Sequence, residues 1–205
     1  MMNSQFKIIA CASFALLASC GQTNAPEAGH ADATTDKSFA DVDTERISTA
    51  SAGEEWLTYG GTYDEQRHST LANINTGNVD RLGIAWTHDL ATNRGVEATP
   101  IIVDGVMYVT SAWSVVHALD ARTGEELWVY DPDVDRTVGV NACCDAVNRG
   151  AAVYEGKVYV GVIDGRLEAL DAETGKLIWS SITVDQAKAY TITGAPRVAN
   201  GRVMI

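Results

Sequence analysis

A chain of 205 residues, 46% hydrophobic and 20% charged, has the makeup of one or two ordinary globular units. A net charge of -12 with a pI near 4.6 argues against a broad electrostatic grip on nucleic acid, so no nucleic-acid partner is expected. Composition leaves the fold open, and the order of elements along the chain has to supply it.

The first twenty residues read as an export signal. Met1 to Lys7 carries one positive charge, Ile8 to Leu17 is apolar, and Leu17-Ala18-Ser19 supplies small residues before Cys20. An apolar run of ten residues is too short to span a bilayer. The placement of Cys20 resembles the lipobox of bacterial lipoproteins, which implies cleavage before it and a diacylglycerol on its thiol. An ordinary cleaved signal that contains a cysteine is the alternative. Gly21 rather than Asp at the next position favours the outer membrane, giving a periplasmic chain held to the membrane by its lipid alone. Residues 21–52 are rich in Ala, Thr, Ser, Asp and Glu with few large apolar side chains, and are expected to form a flexible polar linker. With Cys11 removed and Cys20 lipidated, Cys143 and Cys144 remain, in a compartment where disulfides persist.

From residue 53 onward the chain repeats itself. Gly105 to Trp128 recurs as Gly156 to Trp179, an offset of 51 without a gap and with ten identical positions. Each copy reads as four short strands: an apolar run ending at a Gly turn, a strand around Tyr108 or Tyr159, a third ending in Ala-Leu-Asp, and a fourth containing Trp. Asp120-Ala-Arg-Thr-Gly124 and Asp171-Ala-Glu-Thr-Gly175 supply turn chemistry before the fourth strand. Four strands per repeat of this length is the pattern of a β-propeller blade. A further copy begins at Gly201-Arg-Val-Met-Ile205, and Leu82 to Trp86 reads as the last strand of an earlier one. Trp86, Trp128 and Trp179 recur at one blade position and are expected to fill the gap between adjacent sheets. About two complete blades cannot close a ring of four to eight. The expected fold is therefore all-β, the N-terminal blades of a propeller left incomplete in this chain.

The repeat Ala-x-Asp-x-x-Thr-Gly-x-x-x-Trp resembles that of the dehydrogenases using pyrroloquinoline quinone (PQQ), which are eight-bladed propellers. A non-enzymatic lipoprotein propeller of outer-membrane assembly shares it. Other runs resemble the methanol and ethanol branch of the PQQ enzymes, nearest to the quinohaemoprotein ethanol dehydrogenases. They are Trp56-Leu-Thr-Tyr59-Gly-Gly, Arg67, Leu71-Ala-Asn-Ile74, Asn78-Val79, Arg94-Gly-Val-Glu97-Ala-Thr-Pro100 and Ala112-Trp-Ser114. Cys143-Cys144-Asp145-x-x-Asn148-Arg149-Gly150 and Thr191-Ile-Thr193-Gly-Ala-Pro196 complete the set. The resemblance implies an oxidoreductase that converts small primary alcohols to aldehydes and passes electrons to cytochrome c or a quinone. It further implies PQQ, calcium with ligands downstream of this chain, and haem c in a C-terminal domain. A sugar-oxidising PQQ enzyme is the second alternative, although such enzymes usually lack the adjacent cysteines.

The same resemblance suggests the site residues. It implies a disulfide between Cys143 and Cys144 lying against one face of the flat quinone; two reduced thiols, or pairing elsewhere, are the alternatives. It places Arg149 on a PQQ carboxylate, a pairing that suits a forked guanidinium, and makes Glu97 and Thr193 hydrogen-bonding partners of PQQ. Spacing adds its own support. Glu97 lies eight residues before Gly105, Thr193 eight before Gly201 and Arg149 seven before Gly156, so all three open the first strand of successive blades. First strands line a propeller's central channel, and the three side chains are expected to converge at one end of it. No residue matches the family's catalytic aspartate or its metal ligands. The histidines at 30, 68, 88 and 117 show no ligand spacing and receive no role.

Overall fold

A computed structural model describes residues 39–205. The export signal, Cys20 and the linker as far as residue 38 lie outside the described residues. Among those described, no helix is long and apolar enough to cross a membrane.

Two four-stranded antiparallel sheets follow one another. The first is β1 (Ile101–Val103), β2 (Val106–Thr110), β3 (Val116–Asp120) and β4 (Glu126–Tyr130), hydrogen-bonded in chain order. The second is β5 (Ala152–Tyr154), β6 (Lys157–Gly161), β7 (Arg166–Asp171) and β8 (Leu177–Ile182), again in chain order. β9 (Arg197–Ala199) and β10 (Arg202–Met204) pair as the first hairpin of a third. Even the irregularity repeats, since the register slips between Ala118 and Leu119 and again between Ala169 and Leu170.

The first hairpin of each blade turns through two residues, Asp104-Gly105, Glu155-Gly156 and Asn200-Gly201. All six have positive φ, the type I′ geometry whose twist matches that of the flanking strands. Inner strands are buried on both faces because blades stack face to face: β3 and β7 hold four buried positions each, whereas every residue of β8 is exposed. The core runs through Ile101, Tyr108, Val116, Val153, Val158 and Leu170.

Trp86 and Trp128 fill the inter-blade gap, whereas Trp179, in β8, is exposed. Trp128 donates from Nε1 to the Ala172 carbonyl of the next blade at 3.1 Å and lies flat against Gly175, where an added Cβ would meet the indole at 2.6 Å. Trp86 stands over Gly124 in the same way. Leu82 to Trp86, expected as a strand, forms none: a strand is defined by its ladder, and no described strand lies beside this segment.

The linker reading is corrected over its last part. Thr44–Thr49 forms a short helix, α1, capped by Asp43, which accepts from the Arg46 amide at 2.7 Å. Ala40, Val42 and Ile47 are buried. Their backbone is taken up by the second blade, with Gly156 N donating to Ala40 O at 3.1 Å and Glu155 N to Val42 O at 2.8 Å. Thr44 bonds Tyr154 at 3.0 Å and accepts from Asn200 N at 2.9 Å, while Arg46 pairs with Asp104 at 2.8 Å and Glu55 at 2.6 Å. This segment therefore laces together the type I′ turns of three successive blades. Few apolar residues suffice because neighbouring turns supply the partners.

Candidate functional site

β1, β5 and β9 all run toward the turns laced by α1, so the residues preceding them gather at the opposite end of the blades. There Arg149 holds the centre. Its Nη2 lies 3.0 Å from Glu97 Oε2, and its Nη1 donates to Thr193 Oγ1 at 2.7 Å and to the Thr193 carbonyl at 3.4 Å. The backbones are tied in the same order, Thr99 N donating to Arg149 O at 3.2 Å and Arg149 N to Thr193 O at 3.0 Å. The three residues singled out by spacing thus share one guanidinium. Arg149 and Glu97 keep side-chain exposures of 36% and 44%, leaving the cluster open to a ligand.

Cys143 and Cys144 are exposed, and the structure carries them as free cysteines with their Sγ atoms 2.6 Å apart, not as a bonded pair. The Cys144 thiol is pushed above its ordinary range, chiefly by its neighbour Cys143. Arg149 pulls it down and Glu97 pushes it up, so the ion pair and the sulfur share one electrostatic neighbourhood.

Asn148, quoted within the Cys-Cys run but given no role, is what fixes this loop. Its buried Oδ1 accepts from Thr110 Oγ1 at 2.8 Å and Gly150 N at 2.9 Å; its Nδ2 donates to Ser114 Oγ at 3.2 Å and Gly161 O at 2.8 Å. Every hydrogen-bonding position of the amide is therefore used, which a buried amide needs. On the other side Asp145 pairs with Arg94, and Trp113 N donates to Ala146 O at 2.8 Å. Trp113 and Ser114 both take positive φ, 65° and 63°, an unfavourable backbone for such residues. Arg94 and Arg136 lie over the Trp113 ring at 5.3 and 4.6 Å. In the sequence Arg94, Trp113, Ser114, Asp145 and Asn148 stood within the motifs Ala112-Trp-Ser114, Arg94 to Pro100 and Cys143 to Gly150, with no role given to them.

The donor set suits a flat, acidic ligand: a forked cation and a hydroxyl on one side, two exposed sulfurs beside them, and open space around Gly194 where an added Cβ would touch nothing. The residues present therefore fit a carboxylated quinone.

Comparison with known proteins agrees with this geometry. The family model described as the β-propeller domain of PQQ glucose/ethanol/alcohol dehydrogenases matches residues 56–205. The 1-butanol dehydrogenase (cytochrome c) of Thauera butanivorans is 60% identical over 164 residues, covering 78% of this chain and 23% of its own. The dehydrogenase subunit of the alcohol dehydrogenase (quinone) of Gluconobacter oxydans is 52% identical over 177 residues, 82% of this chain and 23% of its own. In three dimensions the quinohemoprotein alcohol dehydrogenase ADHIIG of Pseudomonas putida matches with a TM-score of 0.78 at 59% identity, covering 80% of this chain and 24% of its own. The chain thus spans about a quarter of the length of the relatives it matches. It belongs to the family of PQQ-dependent glucose, ethanol and alcohol dehydrogenase β-propellers.

Proposed function

We propose that this chain supplies one wall of the PQQ pocket of an alcohol dehydrogenase that oxidises small primary alcohols to aldehydes. The reading rests on one observation, the meeting of Glu97, Arg149 and Thr193 at one guanidinium beside an exposed pair of cysteines. Arg149 and Thr193 donate to a carboxylate of the cofactor, Glu97 is a further hydrogen-bonding partner beside them, and the Asn148-fixed backbone holds the guanidinium in place. Cys143 and Cys144, joined as a disulfide, present a stiff surface to one face of the ring. When bound, PQQ supplies the two-electron acceptor for alcohol oxidation. Calcium, held by residues outside this chain, accompanies it. Electrons leave to a cytochrome c or a quinone, the acceptors in the names of the Thauera and Gluconobacter relatives, and haem c belongs to the quinohaemoprotein form. Export to the periplasm and anchoring by Cys20 to the outer membrane complete the proposal.

The test is PQQ binding to the full-length protein followed by absorbance or calorimetry. Arg149→Ala removes a charge-assisted hydrogen bond of about 1.5–3 kcal/mol, so affinity falls roughly tenfold to a hundredfold. Unchanged affinity removes Arg149 from the pocket. Rapid alkylation of Cys143 and Cys144 without reductant would remove the disulfide.

A further inference from the structure

Trp86 and Trp128 are equivalent in successive blades, so His88 is the counterpart of Tyr130; the offset of 51 makes His117 the counterpart of Glu168. Both pairs meet across a blade interface. At the second interface Glu168 is wholly buried and fully partnered, accepting from Tyr130 at 2.9 Å, Arg166 at 2.6 Å and Ser180 at 3.0 Å. The first interface is built differently. Val115 stands where Arg166 stands in the second, so the compensating guanidinium is replaced by an aliphatic side chain. In place of one acid and one cation there are two imidazoles and the Glu126 carboxylate.

Their electron pairs converge. His88 Nε2 lies 3.4 Å from Glu126 Oε2 and His117 Nδ1 lies 4.0 Å from it, and the three ligand atoms fall within 4.8 Å of one another. Both nitrogens are buried and make no hydrogen bond, which is costly for imidazole. The His117 side chain is 95% buried, and its other nitrogen, Nε2, meets Ser111 Oγ at 3.2 Å. A proton on Nε2 shared with Ser111 leaves the Nδ1 lone pair aimed at the cluster, the outer-partner arrangement of a metal-binding histidine.

We propose that His88 Nε2, His117 Nδ1 and Glu126 Oε2 form a binding site for a divalent transition cation of the zinc class, clasping the segment after Trp86 to the first blade. Two neutral nitrogens and a carboxylate are the donors such an ion takes, and tetrahedral coordination at 2.0–2.1 Å sets its ligand atoms about 3.3 Å apart. The 3.4 Å separation already meets this, and Glu126, 46% exposed, has room to close the 4.0 Å one; the two imidazole nitrogens, within 4.8 Å of each other, are drawn together as His88 turns onto the ion. A water completes the shell. The histidines were given no role from sequence spacing because the site is assembled by blade stacking, 29 residues apart along the chain.

The experiment is calorimetric titration of zinc chloride into the full-length protein, loaded with PQQ and kept in saturating calcium so that the cofactor's own metal site stays filled. The wild type is expected to take up one equivalent more than His88→Asn or Glu126→Gln, both partly exposed positions that leave the core intact. Its unfolding temperature should rise with zinc while theirs does not. Ser111→Ala should weaken zinc binding roughly 10- to 100-fold without changing its stoichiometry. Equal stoichiometry in the wild type and both variants overturns the proposal, as does a zinc-dependent stabilisation that survives in either of them. PQQ affinity is read in the same samples and reports separately on the Arg149 pocket.

Discussion

Replacing Asn148 by aspartate changes one nitrogen to oxygen, yet should be among the most damaging substitutions in the chain at neutral pH. The residue is 1% exposed, and its Nδ2 donates to Ser114 Oγ and to the Gly161 carbonyl. A carboxylate there would face a carbonyl oxygen at 2.8 Å, so the folded protein must hold the acid protonated. Unfolded aspartate has a pKa of about 3.9, and keeping it neutral at pH 7 costs about 1.4 kcal/mol for each of the three intervening pH units, about 4 kcal/mol. One hydroxyl replaces two N–H donors, and losing the bond to Ser114 adds about 1 kcal/mol. The sign is distinctive: the folded pKa is raised, so the loss is largest at high pH and falls, as pH approaches the unfolded value, to the loss of about 1 kcal/mol from the Ser114 bond. Urea denaturation followed by tryptophan fluorescence at pH 7 and pH 5 should show the gap from wild type shrinking by about 2.7 kcal/mol. A gap that does not change with pH would mean that the pocket admits the charge, refuting the sealed amide as the anchor of the cysteine loop.

The inter-blade tryptophan can be tested against an internal control. Gly175 and Gly105 both have φ near +70° to +80°, so alanine costs about 1 kcal/mol at either; only at Gly175 does the new Cβ strike an indole, adding about 1–3 kcal/mol. Equal destabilisation by Gly175→Ala and Gly105→Ala would remove Trp128 docking from the stability of the interface. Ile47→Ala, in the segment first read as linker, should cost about 2–4 kcal/mol and speed hydrogen exchange of the Glu155 and Gly156 amides. Unchanged exchange there would mean that α1 only rests on the blades.

What was legible in the sequence was what repeats. The 51-residue offset carried strand order and turn positions, because each blade solves the same packing problem with the same residues; the slipped register that repeats with it shows only in the structure. Arg149 and Thr193 could be aligned because spacing to a turn glycine is a proxy for height along a first strand. α1 was missed because it is held by partners the repeat supplies and not by its own apolar content. Asn148 sat in plain view, but its four bonds come from Thr110, Ser114, Gly150 and Gly161, and only the last two lie near it in the chain. The histidine cluster was invisible for a related reason: it depends on what Val115 fails to provide relative to Arg166, a comparison that requires knowing which side chains meet.

The architecture around Arg149 separates what must stay fixed from what must be exchanged. Its ion pair with Glu97 is more than a third exposed on both sides, and such pairs contribute at most about 1 kcal/mol. That pair cannot be what places the guanidinium. The backbone bonds from Thr99 to Arg149 and from Arg149 to Thr193, with the buried amide of Asn148 next to them, are shielded and oriented by three blades at once. A ligand carboxylate can therefore compete with Glu97 for the guanidinium at small cost, while the chain that presents it does not move. Such a division predicts that Glu97→Gln changes PQQ affinity by less than about tenfold, whereas Asn148→Asp at pH 7 lowers both affinity and stability. A Glu97→Gln variant that unfolds readily would place the structural burden on the ion pair and reverse the argument.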